Sequence, residues 1–232
     1  MSGPIVNSSV FIVIPFYNEN AVIAEVINKI LPWDYRVIVV DDGSTISPHE
    51  ILKNFPGVFL LRHKVNLGQG AALQTGIEYA LKQGAEYVVS FDADGQHDAD
   101  DIAAMLLPLY RENADVTLAS RFLEKGLHNA SLIKQLVLKI ARLINFLFTG
   151  LYLTDAHNGL RAMSQRAAQK ISIKENGMAH ASEILFLIKQ NGLKYKEVPA
   201  RIIYTGYSMK KGQSVFNSIR IFFDLVLHKL FE

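Results

Sequence analysis

An α/β fold, with a mostly parallel sheet flanked by helices, is what the sequence predicts, and three observations predict it. Short apolar runs rich in β-branched residues alternate with longer stretches of helical periodicity. Those runs are hydrophobic throughout, as strands buried on both faces are. Acidic and polar residues gather directly after them.

Residues 10–14, 36–40, 58–62 and 87–91 read as strands, and residues 21–31, 48–54, 70–82 and 100–110 as the helices after them. Strand–helix–strand alternation puts helices on both faces of a parallel sheet. In such sheets a ligand binds beyond the carboxyl ends of the strands, where strand order reverses. The second half is less regular: 116–119 reads as a strand, 132–153 as a long apolar helix, 181–190 as a helix and 195–203 as a strand. The chain has 232 residues and no internal repeat, which suits one compact domain. That domain is expected over 1–212, including a surface helix at about 131–153, with an amphipathic C-terminal helix at 213–232.

Composition narrows the function. Lys and Arg number 24 against 22 Asp and Glu, a net charge of +2 that argues against a nucleic-acid partner. The chain has no cysteine, which excludes disulfides, zinc ribbons and thiol catalysis and suits a reducing cytosol. No signal peptide is expected from residues 1–9. Lys134, Lys139 and Arg142 interrupt the apolar stretch, whose longest uncharged part, 143–154, falls short of the roughly 20 residues that a spanning helix needs. The tail 214–231 carries Arg220, Asp224, His228 and Lys229. Both segments therefore suit a bilayer surface, with a core helix or a contact with a second copy of the chain as the competing readings.

The strand ends carry the chemistry. Pro15-Phe16-Tyr17-Asn18-Glu19 follows the first, Asp41-Asp42-Gly43-Ser44 the second, and Asp92-Ala93-Asp94-Gly95-Gln96-His97 the fourth. Asp92 and Asp94, two apart in an extended segment, project from one side and can reach one cation, with Gln96 as a third oxygen donor. Oxygen ligands favour Mg²⁺ or Mn²⁺, whose coordination phosphate oxygens and waters complete. A solvated loop with capping aspartates is the alternative, and Asp41-Asp42 on a parallel neighbour weighs against it. An EF-hand is excluded because glycine falls at the fourth position and the closing glutamate is missing. Asp41-Asp42-Gly43-Ser44 suits a nucleobase or ribose equally with an Asx turn. Asn66-Leu67-Gly68-Gln69-Gly70-Ala71-Ala72 opens a helix, either to receive a phosphate or, as the residues alone favour, to pack closely. It is neither a Rossmann fingerprint nor a P-loop.

Together with Ser120-Arg121 and Asp155-Ala156-His157-Asn158-Gly159-Leu160-Arg161, these motifs, in this order, resemble GT-A glycosyltransferases of family 2. The likeness is greatest to the branch of dolichyl-phosphate mannose synthase and the bacterial polyprenyl-phosphate glycosyltransferases, and covers about residues 10–205. The resemblance implies a Rossmann-like GT-A domain and an inverting, metal-dependent transfer from a UDP- or GDP-sugar. It implies that Pro15, Tyr17, Glu19, Asp41, Asp42, Gly70 and Asp92 hold the nucleotide, that Asp92, Asp94 and Gln96 surround the Mg²⁺ or Mn²⁺, and that Asp94 and Arg121 serve catalysis. Arg121, Lys134, Arg161, Ser208 and Lys211 are the candidates for an acceptor phosphate.

The acceptor decides whether a base is needed. A phosphate monoester, with a second pKa of about 6, is already a dianion at neutral pH, whereas a sugar hydroxyl needs a carboxylate to take its proton. Hydroxyl-using relatives place an acidic pair at the start of a later helix; His180-Ala181-Ser182-Glu183 stands here, with Glu183 the one candidate base. The reading favoured is transfer to a polyprenyl phosphate by a peripheral protein at the cytoplasmic face of the cell membrane. A family 2 transferase acting on a hydroxyl of a glycan acceptor is the nearest rival, and a non-catalytic nucleotide-sugar-binding protein a third. A nucleotidyltransferase is disfavoured because Pro15–Glu19 stands where its Gly-rich basic loop belongs. The chain departs from the mannose-synthase pattern at Tyr204–Gln213, where the arginine expected before a Gly-x-Ser-Lys element is missing and Lys211 is the candidate to supply its charge, without the two-pronged fork.

Overall fold

Seven strands pair into one sheet in the computed structural model, which describes residues 7–123, 140, 142–143, 146–147, 149–156 and 158–203. They are β1 (Val10–Phe16), β2 (Arg36–Asp41), β3 (Phe59–Arg62), β4 (Tyr87–Ser90), β5 (Val116–Ser120), β6 (Arg161–Ser164) and β7 (Tyr195–Pro199). Their order is β3-β2-β1-β4-β6-β5-β7. The helices are α1 (Ile23–Ile30), α2 (His49–Leu52), α3 (Gln69–Lys82), α4 (Asp101–Tyr110), α5 (Gln165–Lys170) and α6 (His180–Gln190).

The alternation of β1 shows how the layers form. Val10, Ile12, Ile14 and Phe16 face one way, into a core with Ile23 and Ile27 of α1 and Ile102 and Met105 of α4. Phe11 and Val13 face the other way, against Ala72, Leu73 and Ile77 of α3 and Ile184 and Ile188 of α6. A strand covered on both sides has no polar face to show, hence its unbroken apolar run. Burying each such side chain contributes about 1.5–3 kcal/mol.

β1 pairs in parallel with β2 and β4, and β2 with β3. β6 runs antiparallel to both its neighbours, β4 and β5. The short run Arg161-Ala162-Met163-Ser164 opens on a charge, and the periodicity gives no strand there. Two further expectations shift. β1 lies between β2 and β4, so Asp41-Asp42 is two strands from Asp92 rather than on its immediate neighbour. The strand expected at 195–203 ends at Pro199, beyond which Ile202 makes one isolated antiparallel bridge to His97.

Register explains why these residues meet. Phe16 is level with Asp41, and Val13 with Ser90, so the segments after β1, β2 and β4 emerge at one edge. β6 runs backwards, and its first residue, Arg161, pairs with Ser90 at that same edge. No described helix is long and apolar enough to cross a membrane. Most of the surface helix expected at about 131–153, and the C-terminal helix expected at 213–232, lie outside the described residues.

Candidate active site

A cavity of about 630 Å³ opens at this edge, bounded by the segments after β1, β2 and β4, the start of α3, β6 and the first turns of α6. Of the residues expected to serve the site, Pro15, Tyr17, Glu19, Asp42, Asp92, Asp94, Gln96 and Arg161 line it. Asp41, Gly70, Arg121 and Glu183 do not.

The wall after β1 and β2 is fastened by backbone amides. Asn18, at a positive φ of 56°, donates its N–H to Ser44 Oγ at 2.9 Å, and its side-chain oxygen accepts from the Thr45 N–H at 3.0 Å. Asp41 is fully buried: its Oδ1 accepts from the Ser44 N–H at 2.9 Å, and Arg62 Nε lies 3.2 Å from its Oδ2. It shapes the loop from behind. Asp42 faces the cavity, but its carboxylate accepts from the N–H groups of Leu67 and Gly68 and from His63 Nδ1, at 2.9, 2.7 and 2.7 Å. It thus pins the Asn66–Gly68 segment against β2. Gly70 donates its N–H to the Asn176 carbonyl at 2.8 Å, and a Cβ there would collide with the Glu175 carbonyl oxygen. Close packing accounts for this glycine, and its amide is not available to a phosphate.

The segment after β4 carries the carboxylate pair. Asp92 is held from both sides, by Gln69 Nε2 on Oδ1 at 3.1 Å and His97 Nε2 on Oδ2 at 3.0 Å. Burial raises the cost of its charge, but the His97 hydrogen bond, with the charges of His97 and Arg161, outweighs that and holds its carboxyl below the usual range. Asp94 is shifted upward, first by burial and then by the charge of Asp92, against the Gln96 N–H that donates to its Oδ1 at 3.0 Å. This crowding of negative charge is the condition that a cation relieves. Four carboxylates, Glu19, Asp42, Asp92 and Asp94, line the cavity against one guanidinium. Among the described residues no group of three His, Cys, Asp or Glu side chains could hold a metal alone. Asp92 and Asp94 therefore fit Mg²⁺ or Mn²⁺ completed by phosphate oxygens and water, rather than a fully protein-built site.

The floor comes from β6 and α6. Arg161 is 4% exposed; its Nε donates to the Asn158 carbonyl at 3.3 Å and its Nη2 to the Ala181 carbonyl at 3.1 Å. Burial pulls its pKa down to about 10 against the pull of Asp92 and Asp155, leaving it charged at neutral pH. His180, 5% exposed, has Nδ1 2.8 Å from the Gly177 carbonyl. A carbonyl only accepts, so Nδ1 carries the proton and Nε2 is left as an acceptor. Burial lowers the His180 pKa to about 4, despite the Gly177 bond, so the ring is neutral at neutral pH. Gly159 passes so close to Asp92 that a Cβ would overlap the carboxylate, and its carbonyl accepts from Ser90 Oγ at 2.8 Å.

Beyond the cavity, Arg121 is clasped by Asp155: Nε to Oδ2 at 2.7 Å, Nη2 to Oδ1 at 2.8 Å and the backbone N–H to Oδ2 at 3.1 Å. Glu197 on β7 holds that loop, accepting from the Thr154 N–H at 2.8 Å, Thr154 Oγ1 at 2.8 Å and the Asp155 N–H at 3.1 Å. Glu183 accepts from the Lys174 and Glu175 N–H groups at 3.0 and 2.9 Å. It fastens the segment before α6 and does not face the cavity. Lys134, Ser208 and Lys211 lie outside the described residues.

Gln69 and His97, which hold Asp92, His180, which lines the cavity, and Glu197, which holds the Asp155 loop, were not among the candidates read from the sequence. His97 ends the Asp92–His97 motif and His180 opens the run to Glu183, so a histidine close to a carboxylate was the available signal. Glu197 gave none.

A cavity at the carboxyl edge of a mostly parallel sheet, with a paired-carboxylate loop beside it, is the arrangement of a glycosyltransferase of GT-A architecture. The sequence profile described as Glycosyl transferase family 2 matches residues 11–172, and the chain belongs to that family. It is 39% identical to an uncharacterized protein of Methanocaldococcus jannaschii, over 96% of this chain and 93% of that one. It is 34% identical to the UDP-N-acetylglucosamine–dolichyl-phosphate N-acetylglucosaminyltransferase of Methanococcus voltae, over 95% of this chain and 96% of the relative. Among solved structures, glucosyl-3-phosphoglycerate synthase of Mycobacterium tuberculosis, in complex with Mn²⁺, UDP and glucosyl-3-phosphoglycerate, superposes with a TM-score of 0.66 at 20% identity, covering 87% of this chain and 74% of that one. That likeness supports the fold.

Proposed function

We propose that the chain transfers a sugar, with inversion, from a UDP- or GDP-sugar to a polyprenyl phosphate at the cytoplasmic face of a membrane. The observation that carries the acceptor is Glu183: the one candidate base outside the carboxylate wall spends its oxygens on the backbone at residues 174 and 175. An acceptor that arrives ionised needs no such base. The Methanococcus voltae relative, named for dolichyl phosphate, supports the same reading.

In this reading Tyr17 and Asp42 bound the nucleotide, and Asp92, held by Gln69 and His97, stands ready beside the diphosphate. Asp94 and Asp92 would hold the Mg²⁺ or Mn²⁺, which when bound neutralises charge gathering on the leaving diphosphate. Arg121, oriented by Asp155, meets the acceptor phosphate; Lys134, Ser208 and Lys211, outside the described residues, are the other candidates for that role. Exposed Ile140, Leu143, Phe146 and Leu147 recur at helical spacing and suit the bilayer interface.

Transfer from radiolabelled UDP- and GDP-sugars to dolichyl or undecaprenyl phosphate tests this, with Mg²⁺ or Mn²⁺. Activity should appear with lipid phosphate and fall by about 10³-fold or more in Asp94→Ala and in chelator. Metal-dependent nucleotide binding with no transfer to any lipid phosphate would overturn the acceptor assignment.

A further inference from the structure

The floor of the cavity carries a pattern of its own. Arg161 spends Nε and Nη2 on the Asn158 and Ala181 carbonyls, which leaves Nη1 as a donor. His180, next to Ala181 in the chain, spends its Nδ1 proton on Gly177 and keeps Nε2 as an acceptor. Both side chains are at least nine-tenths buried and both line the cavity. Ala72, Leu73 and Ile184, from α3 and α6, line it as well and give this corner an apolar wall. Gly70 lets α3 come this close, since a Cβ there would press on His180 Cβ.

One fixed donor, one fixed acceptor and an apolar wall are the complement of a secondary amide bearing a methyl group. Resting on the reading of this cavity as the nucleotide-sugar site, we infer that the corner between Arg161 and His180 receives the acetamido group of the donor, so that the sugar transferred is a 2-acetamido sugar. Arg161 donates to the acetamido carbonyl, His180 Nε2 accepts the acetamido N–H, and the methyl lies against Leu73 and Ile184. A plain hydroxyl can accept from the one and donate to the other but leaves the wall unmatched, so the methyl contact carries the preference.

Calorimetric titration of UDP-N-acetylglucosamine and UDP-glucose in the presence of Mn²⁺ separates the sugar from the base, because both share one nucleotide. The wild type should bind the acetamido donor at least about tenfold more tightly. His180→Ala, which removes the acceptor for the acetamido N–H, should weaken the acetamido donor about tenfold. Ile184→Trp, which fills the wall without touching a polar group, should shrink the preference to within about threefold by weakening the acetamido donor alone; thermal melts identify either variant if it fails to fold, and the wild-type preference still decides the matter. Equal binding of the two donors by the wild type, a preference for glucose, an acetamido donor unaffected by His180→Ala, or an equal loss of both in Ile184→Trp overturns the inference and leaves the proposed function standing. Binding of neither donor overturns the inference. If GDP-sugars also fail to bind, the nucleotide-sugar reading falls with it.

Discussion

The two ends of the sheet hold their functional groups by different means. On the β2–β1–β4 side the carboxylates close turns near at hand: Asp41 takes the N–H of Ser44, and Asp94 that of Gln96. On the β6–β5–β7 side Arg121 depends on Asp155, 34 residues on, and that loop depends on Glu197, 43 residues from Thr154. The first region is assembled largely from the few residues just past each strand. The second exists only when three remote segments have docked. Groups on the β2–β1–β4 side are thus fixed by local turn geometry, and Arg121 on the β6–β5–β7 side by a chain of charge-assisted hydrogen bonds.

That contrast predicts which kinetic constant each substitution moves. Arg121→Lys keeps the charge but loses the two-pronged grip on Asp155. It should lower kcat/KM for lipid phosphate by about 100-fold while donor affinity, measured by calorimetry, stays within about threefold. An equal loss of donor affinity would erase the division between the two ends. Asp42→Asn should act the opposite way: donor affinity falls about tenfold and stability by about 1–3 kcal/mol, as the Leu67 and Gly68 amides and His63 lose their shared acceptor. The KM for lipid phosphate should not move. Glu197→Gln retains one acceptor oxygen toward Thr154 and should raise that KM by a few-fold only, with donor binding intact. The smallest effect is expected for Glu183→Gln, within about twofold in turnover and about 1 kcal/mol in thermal stability. Abolished turnover there would return Glu183 to the role of base and the acceptor to a sugar hydroxyl.

The same contrast explains how much the sequence disclosed. β1, β2 and β4 are continuous apolar runs, and their polar sequels are contiguous motifs, so Asp42, Asp92 and Asp94 were legible one after another. β6 was not, because a four-residue strand beginning with a buried Arg161 has neither the length nor the composition of a strand; pairing on both sides makes it one. Glu183 read as a base from its place at a helix start, yet that place sets it over the amides of residues 174 and 175. Gly70 stood at the nucleotide by family resemblance and in close packing by its residues alone, and the neighbouring 175–176 carbonyls claim it for packing. Proximity across 99 residues, such as the bond from the Ile173 N–H to Gln74, leaves no periodic trace.

Gly159 carries one more consequence. A Cβ there would occupy the space of the Asp92 carboxylate, so any other residue must push that carboxylate off Gln69 and His97. In a saturation screen scored by growth or product, it should be as intolerant as an acid that does chemistry, although it has no functional group. Its intolerance would be inherited from the neighbour it must not touch.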